Sequence, residues 1–549
     1  MICRFKILAF VLILMVLPVV VYAAGIKGTP HDLRAKGAKS TCSFCHTPHG
    51  ALRNTPVWNH KLSTAVYKIY SSSSLDAKVG QPTGSSKLCL SCHDGTVALG
   101  QVRRGKPSSA GTRIRPGAAN LGTDLSDDHP ISFIYSPGLS GKDPQIRAVS
   151  ALPSHFKLDN SGELQCTTCH DSHDNTNGNF LVMSNERSAM CITCHDLEGW
   201  SGSSHESSNV AVSNTTDTYL KQTQYHTVAE NGCLSCHRPH SAGGPERLLH
   251  FKNSEDNCLN CHDGTVAKTN LLTDLAKPYK HDVVRYKGVH DLKELPIEAE
   301  KHVECVDCHN PHAATKTFAE VPAASGVMEK VSGITESGSI TRDVKYQYEV
   351  CFKCHGSNVD RVQPTISRQI TQSDTRLEFD PSAPSFHPVV TSGKNQNVPS
   401  LNAQLTTATM IYCTDCHGSD GSGTKGPHGS NYPYLLAYRY ETRDFTQESE
   451  SSYQLCYQCH SRNSILNNES FPQHSKHIEE ETPCSACHDP HGISNAQGNE
   501  QNNSHLINFD TSIVLPSTTN SRLEFVDQGV FRGECSLFCH EREHNTESY

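Results

Sequence analysis

Cys233-Leu-Ser-Cys236-His237-Arg-Pro-His240, answered by Cys258-Leu-Asn-Cys261-His262, decides how this chain is read. Residues at i, i+3 and i+4 share one face of a helical turn, so two thiols and an imidazole in that order address a single object. Cys-x-x-Cys-His is the spacing by which a porphyrin is attached through two thioethers while the histidine ligates its iron. Pro239 disfavours helical geometry at Arg238, which turns His240 away from that iron and frees it for another. One such unit predicts two haems and a ligand passed between them.

The cysteine count extends the reading to the whole chain. There are 25 cysteines in 549 residues. Cys3 falls among Arg4 and Lys6, ahead of an apolar run from Ile7 to Val21 and the small residues Ala23-Ala24, which together predict a cleaved signal peptide over 1–24. The other cysteines all belong to attachment motifs: Cys42, Cys45 and His46; Cys89, Cys92 and His93; Cys166, Cys169 and His170; Cys191, Cys194 and His195; Cys233, Cys236 and His237; Cys258, Cys261 and His262. They continue with Cys305, Cys308 and His309; Cys351, Cys354 and His355; Cys413, Cys416 and His417; Cys456, Cys459 and His460; Cys484, Cys487 and His488. A last motif carries one extra residue, Cys535-Ser-Leu-Phe-Cys539-His540. No thiol remains for a disulfide scaffold, and the cofactor complement implied is twelve covalently attached c-type haems.

The motifs recur in pairs, which predicts a repeat array of dihaem modules: 25–125, 126–215, 216–275, 276–375, 376–465 and 466–549. Hydrophobic residues make up 36% of the chain, and neither strand alternation nor long helical periodicity is visible. The predicted fold is therefore mostly irregular coil with short α-helices wrapped around a chain of stacked haems, with little β-structure. Porphyrins would supply the missing apolar interior. The formal charge of -9 disfavours nucleic acid and favours basic or metal-bearing redox partners.

Histidine supply bears on mechanism. Of 33 histidines, twelve sit in motifs, and the rest suffice to close every iron a second time. The distal set read from proximity to motifs is His31, His49, His129, His173, His226, His240, His290, His312, His387, His428, His477 and His491. Left over are His60, His155, His205, His250, His281, His302, His474, His505 and His544; of these, His155, His302, His474 and His544 stand near enough to motifs to substitute. The mature chain has only Met183, Met190, Met328 and Met410 as thioether competitors. Mostly bis-histidine, low-spin haems are predicted.

These pairs resemble the doubled CXXCH motif of multihaem c-type cytochromes, most specifically through Cys-His-x-Pro-His ending at His49, His240, His312 and His491 and the repeated Cys-His-Asp-Gly-Thr-Val-Ala at 92–98 and 261–267. The departures are the extra residue before Cys539 and the insertion that delays His428. The resemblance implies an exported dodecahaem electron carrier, periplasmic or extracellular, with a redox protein as donor or acceptor and no catalytic residues. Two alternatives stand beside it: a multihaem reductase of nitrogen or sulfur oxyanions, and a conductive filament or porin-conduit subunit.

Overall fold

Where an attachment motif forms the expected helical turn, its histidine N–H donates to the carbonyl of the first cysteine. His46 bonds Cys42, His170 bonds Cys166, His237 bonds Cys233 and His417 bonds Cys413, all at 2.8–2.9 Å. The computed structural model describes residues 25–36, 40–51, 57–105, 111–294, 300–356, 366–421 and 424–549. The predicted signal peptide lies outside them. Between the motifs the chain is mostly coil, with short helices and two-residue strand pairs, as composition suggested.

Two longer helices end on a motif histidine: α1, Gly84–His93, and α2, Gln347–His355. Helix α2 begins where the Glu349 carboxylate accepts from the N–H groups of Lys345 and Tyr346, placing an anion at the end that leaves amide donors unpaired. Its Tyr348 and Phe352 pack with Phe379, Ala383, Phe386 and Val389. Similar small apolar clusters recur along the described chain. Among the described residues no helix is long and apolar enough to cross a membrane.

The polypeptide divides into two compact units. One holds the chain up to Asn185 with Ala189–Cys194 and Pro239–Ser241; the other holds Glu186–Ser188, His195–Arg238 and Ala242–Tyr549. The second unit closes with the longest strands described, a three-stranded antiparallel sheet of β1 (Glu524–Asp527), β2 (Gly533–Cys539) and β3 (Arg542–Ser548) in that order. The last attachment motif is therefore extended. The extra residue between Cys535 and Cys539 breaks the helical spacing, and the segment pairs with its neighbours as a strand instead.

Coil of this kind needs fixed polar anchors, because unpaired buried backbone is costly. Arg368 supplies one: its guanidinium donates to the carbonyls of Ser485 (2.6 Å), Asn508 (2.7 Å) and His488 (2.8 Å), and its side chain is only 8% exposed. Arg368→Ala strands three carbonyls around the Cys484–His488 motif. It is expected to lower unfolding stability by about 3 kcal/mol, read by denaturant titration of the haem-loaded protein with its haem count unchanged.

Candidate haem-binding sites

Two imidazoles gripping one iron stand about 6 Å apart centre to centre, because a metal–nitrogen bond is about 2 Å and each ring centre lies about 1 Å behind its nitrogen. The structure repeats that spacing. In the first unit His93 faces His31 at 6.0 Å, His46 faces His173 at 6.1 Å and His170 faces His240 at 6.2 Å. In the second, His237 faces His312 (6.1 Å), His262 faces His205 (6.3 Å), His309 faces His428 (6.2 Å) and His355 faces His281 (6.1 Å). His417 faces His491 (5.9 Å), His460 faces His387 (6.5 Å) and His488 faces His474 (6.3 Å). These gaps are too wide for ring contact and suit one metal ion, so the residues fit c-type haem.

Each ring must also present the right nitrogen. A hydrogen bond at Nδ1 fixes the tautomer and leaves Nε2 bare. His93 donates to Ala119 O, His170 to Asn179 O, His237 to Arg247 O, His309 to Val327 O, His417 to Tyr434 O and His488 to His505 O, at 2.7–3.0 Å. Four of these carbonyls belong to left-handed dipeptides: Asn179-Phe180, Arg247-Leu248, Tyr434-Leu435 and His505-Leu506, with φ between 47° and 62°. A neighbouring residue then bridges back to the motif histidine: Leu181 to His170, Leu249 to His237, Leu436 to His417 and Ile507 to His488. Sequence reading passed over this device. Its signal is a polar or aromatic residue followed by two large apolar ones, as in Asn-Phe-Leu or Arg-Leu-Leu.

The facing histidines are delivered in knots. His205 donates through Nδ1 to Pro311 O, next to His312, and His281 to Pro427 O, next to His428, both at 2.9 Å. His387 does the same to Pro490 O beside His491, and His31 to Ser172 O beside His173 (3.3 Å). His129, half-buried, donates its backbone N–H to Pro239 O beside His240. Apart from the knot of His129 and His240, of which His240 faces His170, each knot serves both motifs of one module: His312 and His205, for example, face His237 and His262. Burial pushes the His312, His417, His428, His460 and His488 imidazoles down to about 4 and His474 to about 3, so they are neutral donors.

The distal set read from sequence changes accordingly. His205, His281 and His474, set aside as surplus, stand opposite motif histidines. His49, His226 and His290 do not, among the described residues, and His477 faces His544, which lies outside the motifs. His49 and His226 are exposed, the latter with its N–H tied to Glu230. His290 is turned onto Glu294 and His302, whose candidate ligand atoms all lie within 4.8 Å of one another. His60 and His250 have both ring nitrogens bonded, His60 to the carbonyls of Lys61 and Ala98, His250 to Asp217 and His237 O, which suits structural roles.

The thiols order the sites along the chain. Cys89 lies beside Cys166, Cys258 beside Cys305, Cys351 beside Cys413 and Cys456 beside Cys484, and each neighbour raises the first thiol of the pair; each contact sets the second motif of one module against the first of the next. Within modules the second cysteines are neighbours. Burial first, then Cys45, pushes Cys92 up to about 12, and Cys194 acts likewise on Cys169 and Cys261 on Cys236.

Two distal rings have a carboxylate behind them: Asp128 Oδ1 accepts from His240 Nδ1 and Glu378 Oε2 from His491 Nδ1, both at 3.1 Å. Such a bond makes the imidazole a stronger donor and favours the oxidised iron. Glu378→Gln is expected to raise one haem couple by about 60 mV, a tenfold change per electron, in an optical redox titration, leaving the others in place.

Residues 160–198, 226–267 and 406–464 match the doubled CXXCH motif family, consistent with a multihaem c-type cytochrome of electron transfer. The CXXCH motifs indicate covalently bound c-type haem. No curated relative matches the chain.

Proposed function

We propose that the chain is an exported c-type cytochrome of twelve haems that carries electrons from one redox protein to another, in the periplasm or outside the cell. The observation that carries this is the run of facing imidazoles whose motifs touch, thiol to thiol, in chain order within each unit. Haem, when bound, supplies reversible one-electron chemistry. The chain would do the rest: the paired imidazoles would ligate the iron, Nδ1 bonds keep the rings from swinging, and the coil keeps neighbouring attachment points close.

Catalysis at a haem would need an open axial position with acids nearby. The facing pairs argue against that at the sites they occupy, so the reductase reading has no observation in its favour. Export is supported by the basic-apolar-small pattern of residues 1–24. The acidic charge fits a basic or metal-bearing partner rather than nucleic acid.

The mature protein should have the mass of residues 25–549 plus twelve haems. Its ferric electron paramagnetic resonance spectrum should be low-spin throughout, and the reduced protein should take up no carbon monoxide. A mass short of twelve haems, or sustained turnover of nitrite or hydroxylamine, would count against the proposal.

A further inference from the structure

The twelfth motif does not behave like the others. His540 occupies the first position of the two-residue turn between β2 and β3, with φ of 47°, and Glu541 follows at 60°. Its Nε2, the nitrogen other motif histidines keep bare, donates to Asp444 Oδ1 at 2.9 Å. Its Nδ1 is 3.5 Å from the Thr482 hydroxyl, and its ring stacks on Phe445 at 4.8 Å. Both nitrogens are engaged, and no second histidine faces the ring among the described residues.

Strand geometry supplies the reason. Side chains alternate across a strand, so neighbouring Cys539 and His540 tend to opposite sides, whereas Cys535, Leu537 and Cys539 all join the apolar cluster with Phe471 and Phe525. On β3 the residue directly opposite Leu537 is His544, and cross-strand partners share a face. His544 therefore lies on the side of the two thiols. Its Nδ1 is bonded to the Tyr549 hydroxyl and 3.0 Å from Glu547 Oε2, leaving Nε2 as the free ring nitrogen.

Opposite it stands His477, at 6.3 Å between ring centres and 28° between planes, the spacing of the other pairs. His477 donates Nδ1 to Gln473 O at 2.8 Å and likewise keeps Nε2. It shares the short helix α3 (His474–Glu479) with His474, which faces His488. The facing pairs of earlier modules include one ligand from the module that follows, as His312 serves His237 and His491 serves His417. In the sixth module α3 supplies both.

We infer that the haem attached at Cys535 and Cys539 is ligated by His544 and His477, with His540 held out of the iron's coordination by Asp444. The inference rests on the dodecahaem reading. It makes the motif a Cys-x-x-x-Cys pair with its proximal ligand five residues beyond the second thiol, delivered across a hairpin.

The test uses the full-length haem-loaded protein. His544→Ala should retain twelve haems by mass, gain a high-spin ferric signal from about one haem, and bind about one carbon monoxide per chain when reduced; added imidazole should reverse both. His544→Met, which refills the position, should instead give one six-coordinate His/Met haem with a raised potential. His540→Ala should stay low-spin and closed to carbon monoxide. Opening by His540→Ala but not by His544→Ala, or neither change with either His544 variant, overturns the inference while leaving twelve haems intact. A wild-type mass of eleven haems overturns the dodecahaem reading as well.

Discussion

A hydrogen bond at Nδ1 fixes which nitrogen an imidazole offers a metal and where it points, and this chain arranges that bond again and again. The acceptor is usually a backbone carbonyl, which cannot rotate away once its own segment is fixed. Where a carbonyl must sit outside ordinary turn geometry to reach the ring, the chain accepts left-handed backbone at Arg247-Leu248 or Tyr434-Leu435, at a cost of about 1–2 kcal/mol per residue. Burial of Leu248 and Leu435 offsets part of it. The strain is local, and it buys an imidazole that points one way.

The same constraint couples modules that are far apart in sequence. A ring that donates to Pro311 O is placed by the residue that also places His312, so one backbone segment positions ligands for two attachment motifs. His205 and His281 are held through Pro311 and Pro427, more than a hundred residues downstream of each. Folding is then a matter of closing long loops around attachment points, which conformational entropy opposes and covalent cofactor attachment offsets. Small apolar clusters, such as that of Tyr348, Phe352 and Phe379, finish the packing.

What could be read from sequence was what local spacing encodes. The motif cysteines with their histidines, and His173, His240, His312 and His491 three residues after a motif, obey short-range rules, and the structure sets each of those four opposite a motif histidine. The coil-rich fold was legible because composition left too little apolar mass for layers. His205 and His281 were not, since their placement depends on prolines distant in the chain. Proximity favoured His226 and His290, whose nearness to a motif in sequence does not survive folding: one is pinned outward through Glu230, the other onto Glu294 and His302.

The first and sixth modules differ from the others in how ligands are passed. The Pro-His or Ser-His after the first motif of a later module faces a motif histidine of the module before it, whereas His49 of the first module is exposed. The sixth module departs in two ways: a helix carries both His474 and His477, and a hairpin replaces the helical turn at the final motif. The extra residue between Cys535 and Cys539 belongs to the second departure, since a strand brings His544 to the thiol face where a turn would have used its neighbour.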